Sequence, residues 1–207
     1  MPTRLPIAVL VSGSGSNLQA ILDASASDAF AAEVCVVISD RPAVRALERA
    51  VEAGVPAEVV AWAEHGDRDL FTAAVCRVAE RHGAAALVLA GFMRILGTEA
   101  IGRFPTGILN IHPSLLPAFP GTMHAVRDAL AHGVKITGVT VHYVTAEVDG
   151  GPIIAQEAVP VLPDDDEASL HARVQQVEHR LYPDVVDALA RGALMIDGRR
   201  VTWKEHS

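Results

Sequence analysis

The sequence predicts an α/β protein with a mostly parallel central sheet, helices on both faces, and an antiparallel hairpin in the C-terminal half. Three observations carry this. Through residues 1–112, short apolar runs of strand length alternate with amphipathic helical segments, the signature of parallel strands buried on both faces. Beyond residue 113 the pattern becomes strict alternation in "TGVTVHYV", and a second run, "PIIAQEAVPV", follows across Asp149-Gly150. No stretch rich in Pro, Gly or Ser divides the chain, so residues 1–207 read as a single domain with a βα half (1–112) and a loop, hairpin and helix half (113–207).

The elements follow in order. Residues 7–11 are a continuous apolar run that ends in "SGSGSN" and leads into the helical "LQAILDA". It therefore reads as a first strand and not as a signal peptide. Residues 34–39 form a second buried strand, and "AVRALERAVEAG" a helix closed by Gly54, a residue suited to the left-handed C-cap. A third strand is expected at 56–60. In "DRDLFTAAVCRVAERHG", Asp67 is the predicted N-cap, Gly83 follows the end, and Leu70, Phe71, Ala74, Val75 and Val78 make the buried face. Residues 85–90 and 107–111 are two further strands. Val139, Val141 and Tyr143 share one side of the first hairpin strand, and the hairpin is expected at the sheet edge. "PDDDEASLHARVQQVEHRLYPDVVDALARG" is a long helix whose acidic start suits its N-terminus and which Pro183 is expected to break or kink. "ALMIDGRRVTW" closes the chain as a small hairpin around Asp197-Gly198.

Composition narrows the function. With 50% hydrophobic and 20% charged residues the chain has the balance of a globular protein rather than a disordered one. The formal net charge of −8 argues against a broad nucleic-acid surface, though not against a small anion held by local donors. No apolar run reaches the ~18–20 residues of a membrane span. Cys35 and Cys76 stand far apart in apolar surroundings, as small core residues do, and the cytoplasm is the default compartment. Neither HExxH nor a Cys/His ligand spacing occurs, so no metal is assigned.

Several segments are candidates for chemistry. Gly13, Ser14, Gly15, Ser16 and Asn17 lie between strand and helix, where glycines admit an anion to backbone amides and the helix dipole favours it. The third glycine of the dinucleotide fingerprint is missing, and no P-loop Lys follows, so a ligand-free βα turn is the competing reading. "AGFMRILG" (90–97) follows a strand at the same end of the sheet. It reads either as packing under the sheet or as a flat apolar slot for a heteroaromatic ligand. In "ILNIHPSLLP" (108–117), Asn110 and His112 fall on one strand face. Two polar side chains there each need partners, and an amide and an imidazole could stabilise an oxyanion and handle a proton. Asp149 suits a turn, a role compatible with presenting a carboxylate to a histidine. Arg68 opposes the dipole of its helix and so favours an anionic neighbour, while Glu178 by default faces solvent.

Together, "VLVSGSGSNLQAIL", "VLAGFMRIL", "LNIHPSLLP", "VTVHYV" with "EVDGGPII", and "RVQQVEHRLYP" resemble the folate-dependent formyltransferases along nearly the whole chain. "NIHPSLLP" with a downstream "DGG" marks that superfamily. The SGxGSN loop and the Gln-x-x-Glu-His-x-x-Tyr-Pro stretch narrow the likeness to the branch acting on glycinamide ribonucleotide. The resemblance implies a Rossmann-like formyltransferase fold with a phosphate-binding first half and a folate loop in the second. It implies formyl transfer from 10-formyltetrahydrofolate to the amine of 5-phosphoribosylglycinamide in de novo purine biosynthesis, directly and through a tetrahedral intermediate. Asn110, His112 and Asp149 would be catalytic. Gly15, Ser16 and Asn17 would hold the phosphate, and Gln175 and Glu178 the ribose and glycinamide side. Arg68, Met93, Arg94, Ile95 and Leu96 would form the folate site with Asn110 and the loop Thr145, Ala146, Glu147, Val148 and Asp149.

The sequence departs from the family's pattern at Ser14, at Ala118 and in an apparent extra residue near His124, which is left out of the catalytic set. Methionyl-tRNA formyltransferase would need a basic RNA-binding domain, and a formyltetrahydrofolate deformylase an N-terminal regulatory domain. Neither is expected from this sequence. A non-catalytic folate or nucleotide sensor would not need the intact trio. The expected partners are the two small substrates, without nucleic acid or membrane, and monomer and homodimer both stay open.

Overall fold

The computed structural model describes residues 4–204. The chain runs β1 (Leu5–Val11), α1 (Ser16–Ser25), β2 (Ala32–Ser39), α2 (Arg45–Glu52) and β3 (Ala57–Val59). A 3-10 turn at Trp62–Glu64 leads to α3 (Arg68–Arg81), β4 (Ala86–Leu89), α4 (Glu99–Arg103) and β5 (Ile108–His112). Then come α5 (Ala125–Ala131), β6 (Ile136–Tyr143), β7 (Ile153–Pro160), α6 (Glu167–Ala190), β8 (Leu194–Asp197) and β9 (Arg200–Trp203).

All the strands form one nine-stranded sheet of order β3-β2-β1-β4-β5-β6-β7-β9-β8. β1 to β5 pair in parallel, and β6 and β7 continue antiparallel. The chain steps outward from β1 to β3 and then returns to the other side of β1. That reversal opens a crevice at the carboxyl ends of β1 and β4. The β6–β7 pair forms as expected, but not at the edge: β9 and β8 add beyond β7. Nor is Asp149-Gly150 a tight turn, because the connection spans residues 144–152.

Alternation along the strands sorts side chains into two layers. On one face Ile7, Val9, Val88, Leu109, Ile111, Val139 and Val141 pack with Leu18 and Ile21 of α1 and Val174, Tyr182, Val185 and Val186 of α6. On the other, Ala8, Leu10, Leu87, Leu89 and Ile108 meet Phe71, Val75 and Val78 of α3. Each fully buried Leu, Val or Phe contributes about 1.5–3 kcal/mol relative to exposure. Leu70 departs from the expected face and is exposed, because it lies one residue step, about 100°, off the Phe71 line of the helix. Cys76 is a core residue as expected, whereas Cys35 is half-buried against the core; burial pushes both thiols up to about 11.

α6 runs unbroken through Pro183. Its start is fixed by a capping box in which Asp166 accepts from the Ser169 N–H. The proline removes one helical bond, yet the flanking residues hold the axis on the sheet. Tyr182 is fully buried, and its hydroxyl shares one proton between the carbonyls of Leu89 (2.9 Å) and Leu109 (3.1 Å). Those carbonyls belong to neighbouring strands next to the crevice, so one side chain ties β4, β5 and α6 together. No helix among the described residues is long and apolar enough to cross a membrane.

Tyr182→Phe leaves both carbonyls without that donor and should lower unfolding free energy by about 1–3 kcal/mol in urea denaturation. An unchanged midpoint would show that the tie contributes nothing.

Candidate active site

The helical layer over the second face stops at β5. Past Ile108, the same face carries Asn110 and His112 of β5, Thr140 and His142 of β6, and Gln156 of β7, paired strand to strand as Asn110↔His142, His112↔Thr140 and Thr140↔Gln156. These polar side chains are covered by loops instead of a helix. Thr140 donates to the Ser114 carbonyl (2.7 Å) and accepts from the Leu116 N–H (3.0 Å), which seats the "PSLLP" segment on the sheet. Next to it, at the crevice, lies a cleft of about 600 Å³.

One end of the cleft is the loop after β1. Gly15 has φ 72°, and a Cβ there would come within 2.7 Å of the Ala46 side chain, so only glycine fits. The Ser12 N–H donates to the Gly91 carbonyl (3.1 Å), and the Met93 N–H to the Ser12 hydroxyl (2.8 Å), joining this loop to the one after β4. α1 begins with no side-chain cap and no acidic residue in its first turn. The N–H groups of Ser16, Asn17 and Leu18 therefore have no helical acceptor, and with the dipole they suit an anion. α6 closes this end: Gln175 reaches the Ser16 hydroxyl (3.5 Å), and Asn17 donates to Glu178 (3.0 Å).

The other end is apolar. Four of the exposed large hydrophobics, Met93, Ile95, Met123 and Val148, gather around this one cleft. Within "AGFMRILG", Phe92 is buried and stacks on Phe71 at 6.2 Å, as the packing reading expects, while Met93 and Ile95 are exposed on the cleft. Arg94 and Leu96 line it as well, but the Arg94 guanidinium is held by buried Asp40 (2.7 Å) and lies 5.0 Å from the Trp62 ring centre. Thr145, Ala146 and Glu147 complete the wall. Arg68 does not line the cleft. Its exposed guanidinium stands 3.5 Å from Asp69, and its carbonyl accepts from the Thr72 hydroxyl, which in turn accepts from the Gly97 N–H. It sits on the shoulder of the slot. His124 is exposed at the start of α5 and is not part of the lining.

Between the two ends, the predicted trio converges. Asp149 Oδ2 lies 3.5 Å from His112 Nδ1 and accepts from the Gly121 N–H at 2.7 Å, while Asn110 Nδ2 is 3.4 Å from Oδ1. His112 Nε2 is 2.8 Å from the Phe119 carbonyl. Both ring nitrogens of His112 thus face acceptor oxygens. Asp149 has φ 52°, a left-handed conformation that Asp tolerates better than most residues and that recurs at functional sites. Gly151 has no space for a Cβ, which would fall 1.7 Å from the Tyr143 carbonyl oxygen.

A further residue belongs here that sequence reasoning missed. His142 is buried; its Nδ1 donates to the Tyr143 carbonyl (2.9 Å), and its Nε2 stands 3.1 Å from Asn110 Nδ2 and 3.5 Å from Asp149 Oδ1. The signal was available: in "TVHYV" the residue opposite Asn110 is a histidine on the polar side of an alternating strand. Burial by itself raises the Asp149 carboxyl, but hydrogen bonds from His142 and the Gly121 N–H, with the charges of His112 and His142, outweigh it and hold the group below its ordinary value.

Glu178 behaves in the opposite way. Burial pushes its carboxyl up to about 7, and the hydrogen bond from Asn17 offsets this only in part. Between its ordinary value of 4.5 and about 7, the folded protein keeps a proton that the unfolded chain has released. Stability should therefore fall as pH rises through that window. Glu178→Gln should remove the slope and be more stable than the parent above pH 7 by on the order of 3 kcal/mol. Thermal melts of both proteins from pH 5 to 8 check it, and a constant difference across that range would contradict it.

The residues 5–186 match the family model described as formyl transferase. The chain is 48% identical to phosphoribosylglycinamide formyltransferase of Mycobacterium tuberculosis H37Rv over 97% of its length and 95% of that protein. It is 40% identical to the Escherichia coli K12 protein of the same name, covering 94% and 95% of the two chains. Among solved structures, glycinamide ribonucleotide transformylase 1 from Symbiobacterium toebii superimposes with a TM-score of 0.95 at 48% identity, covering 99% of this chain and 96% of that one. A glycine-rich loop facing α6, an apolar slot and an Asn–His–Asp junction, on a chain alike from end to end, fix its membership: the chain belongs to the formyl transferase family.

Proposed function

We propose that this enzyme transfers the formyl group of 10-formyltetrahydrofolate to the amine of 5-phosphoribosylglycinamide, in purine biosynthesis. One observation carries the reading: Asn110, His112 and Asp149 meet at the junction between an end suited to an anion and an apolar end suited to a flat ring. The phosphate lies on the N–H groups of Gly15, Ser16 and Asn17, and Gln175 and Glu178 take the ribose and glycinamide side. The folate ring lies against Arg94, Ile95 and Leu96 and the loop from Thr145 to Asp149. Its aromatic tail passes Met93 and Val148, and its carboxylates are met by Arg68 on the shoulder.

In this reading, the amine attacks the formyl carbon, a C–N bond forms, and the carbonyl electron pair moves to oxygen. Asn110 donates to that oxyanion, and protonated His112 beside it stabilises the developing charge electrostatically. Asp149 keeps the imidazole charged and oriented. When the intermediate collapses, the bond to the folate nitrogen breaks. That nitrogen takes up a proton in exchange for the one the amine loses, carried by His112 or by a water that Asp149 orders. No side chain forms a bond to the formyl group, in keeping with a cleft lining in which neither Cys35 nor Cys76 takes part.

Purified protein should release tetrahydrofolate from 10-formyltetrahydrofolate only when the ribonucleotide is present. Release without it would make water the acceptor, and no release would leave only binding. His112→Ala and Asp149→Ala should each lower turnover at least about a hundredfold, with the circular dichroism spectrum unchanged. Near-parental turnover in either variant contradicts the assignment.

A further inference from the structure

We propose that Arg49 of α2 is a positioning residue for the phosphate end of the cleft: it braces the Ser14–Asn17 loop from behind and supplies the positive charge that the loop lacks. This rests on reading that loop as the ribonucleotide's phosphate site.

The geometry is specific. Arg49 Nε donates to the Ser14 carbonyl at 2.9 Å, and its Nη1 donates to the Gln19 side-chain oxygen at 2.8 Å. The guanidinium thus grips the loop and the first turn of α1 together. Its helix does the same through the backbone, since the Ala46 N–H donates to the Gly13 carbonyl at 3.1 Å and the Ala46 side chain fills the space beside Gly15. Turning the Ser14 carbonyl toward Arg49 directs this peptide's oxygen to the arginine, whereas an anion needs the N–H groups of the loop.

Charge is the second argument. Arg45, one turn earlier, is neutralised by Glu48 (2.7 Å) and Glu52 (2.8 Å). Among the described residues Arg49 has no carboxylate partner; its hydrogen bonds go to neutral oxygens, and the side chain is half-buried. Arg49 does not itself line the cleft; of the basic side chains that do, Arg94 is already paired with Asp40, and His112 and His142 face Asp149. His171 is an exposed imidazole at the rim. An arginine without a counter-ion, directly behind a loop of N–H donors, leaves a positive potential that a dianionic phosphate would satisfy. That potential extends to α6: after burial, the charge of Arg49 is what holds the His179 ring below its ordinary value, and His179 Nε2 is buried without a hydrogen-bond partner.

The test compares glycinamide ribonucleotide with its unphosphorylated riboside as acceptors for the parent, Arg49→Met and Arg49→Lys, with 10-formyltetrahydrofolate in each assay. In Arg49→Met, KM for the ribonucleotide should rise about tenfold. The kcat, the folate KM and the kcat/KM for the riboside should stay within twofold. The preference for the phosphorylated acceptor thus shrinks, which a general loosening of the fold would not produce. Arg49→Lys, keeping the charge, should recover part of that preference. An equal loss on both acceptors, an unchanged preference, or no recovery with lysine each overturns the proposal. Ribonucleotide-dependent turnover by the parent, read in the same assay, separates such a failure from a failure of the formyl-transfer reading.

Discussion

The register of β5 against β6 is the constraint on which the site depends. It sets Asn110 opposite His142 and His112 opposite Thr140. A slip of β5 by one residue would turn Asn110 and His112 toward α6, away from His142 and Thr140, and bring Leu109 and Ile111 out onto the loop face. The apolar inner face of both strands, buried under α6, pins that register, and the Tyr182 hydroxyl fixes β5 to β4 and to α6. The chemistry is thus held by packing on the face opposite to it.

The same logic explains why polar groups can be buried here. Asn110, His112, His142 and Asp149 would each carry a desolvation cost if left alone. Arranged around one carboxylate, they largely satisfy one another. The carboxylate is kept ionised, and its left-handed backbone is held by a connection in which Gly151 has no room for a side chain. Glu178, at the other end, is a buried acid with one hydrogen bond from Asn17, and it is pushed toward neutrality. Two carboxyl groups on one cleft are driven apart by their surroundings, a pattern of sites that work on protons and polar ligands.

Much of this was legible in the sequence, for physical reasons. Buried parallel strands and Asp67- or Gly83-type caps leave local signatures, and the polar pair in "ILNIH" stood out because alternation places both residues on one face. What stayed hidden depends on contacts between distant segments. Pro183 does not break α6, because burial on either side outweighs a lost helical bond. The hairpin is interior, because β9 returns beside β7, a pairing with no local signal. Leu70 fits the helical period loosely and falls outside the covered stripe. His142 could have been read from its strand, but its importance lies in facing Asn110 and Asp149 across the sheet.

The central claim is that the two substrates meet between Asn110 and His112. A crystal structure with glycinamide ribonucleotide and a folate analogue that cannot transfer its formyl group tests it most directly. The account predicts the phosphate on the Gly15–Asn17 amides, the amine in contact with the carbon standing for the formyl group, and that carbon's oxygen within hydrogen-bond reach of Asn110 Nδ2. A phosphate bound elsewhere, or an amine turned away from the Asn110–His112 face, would contradict it.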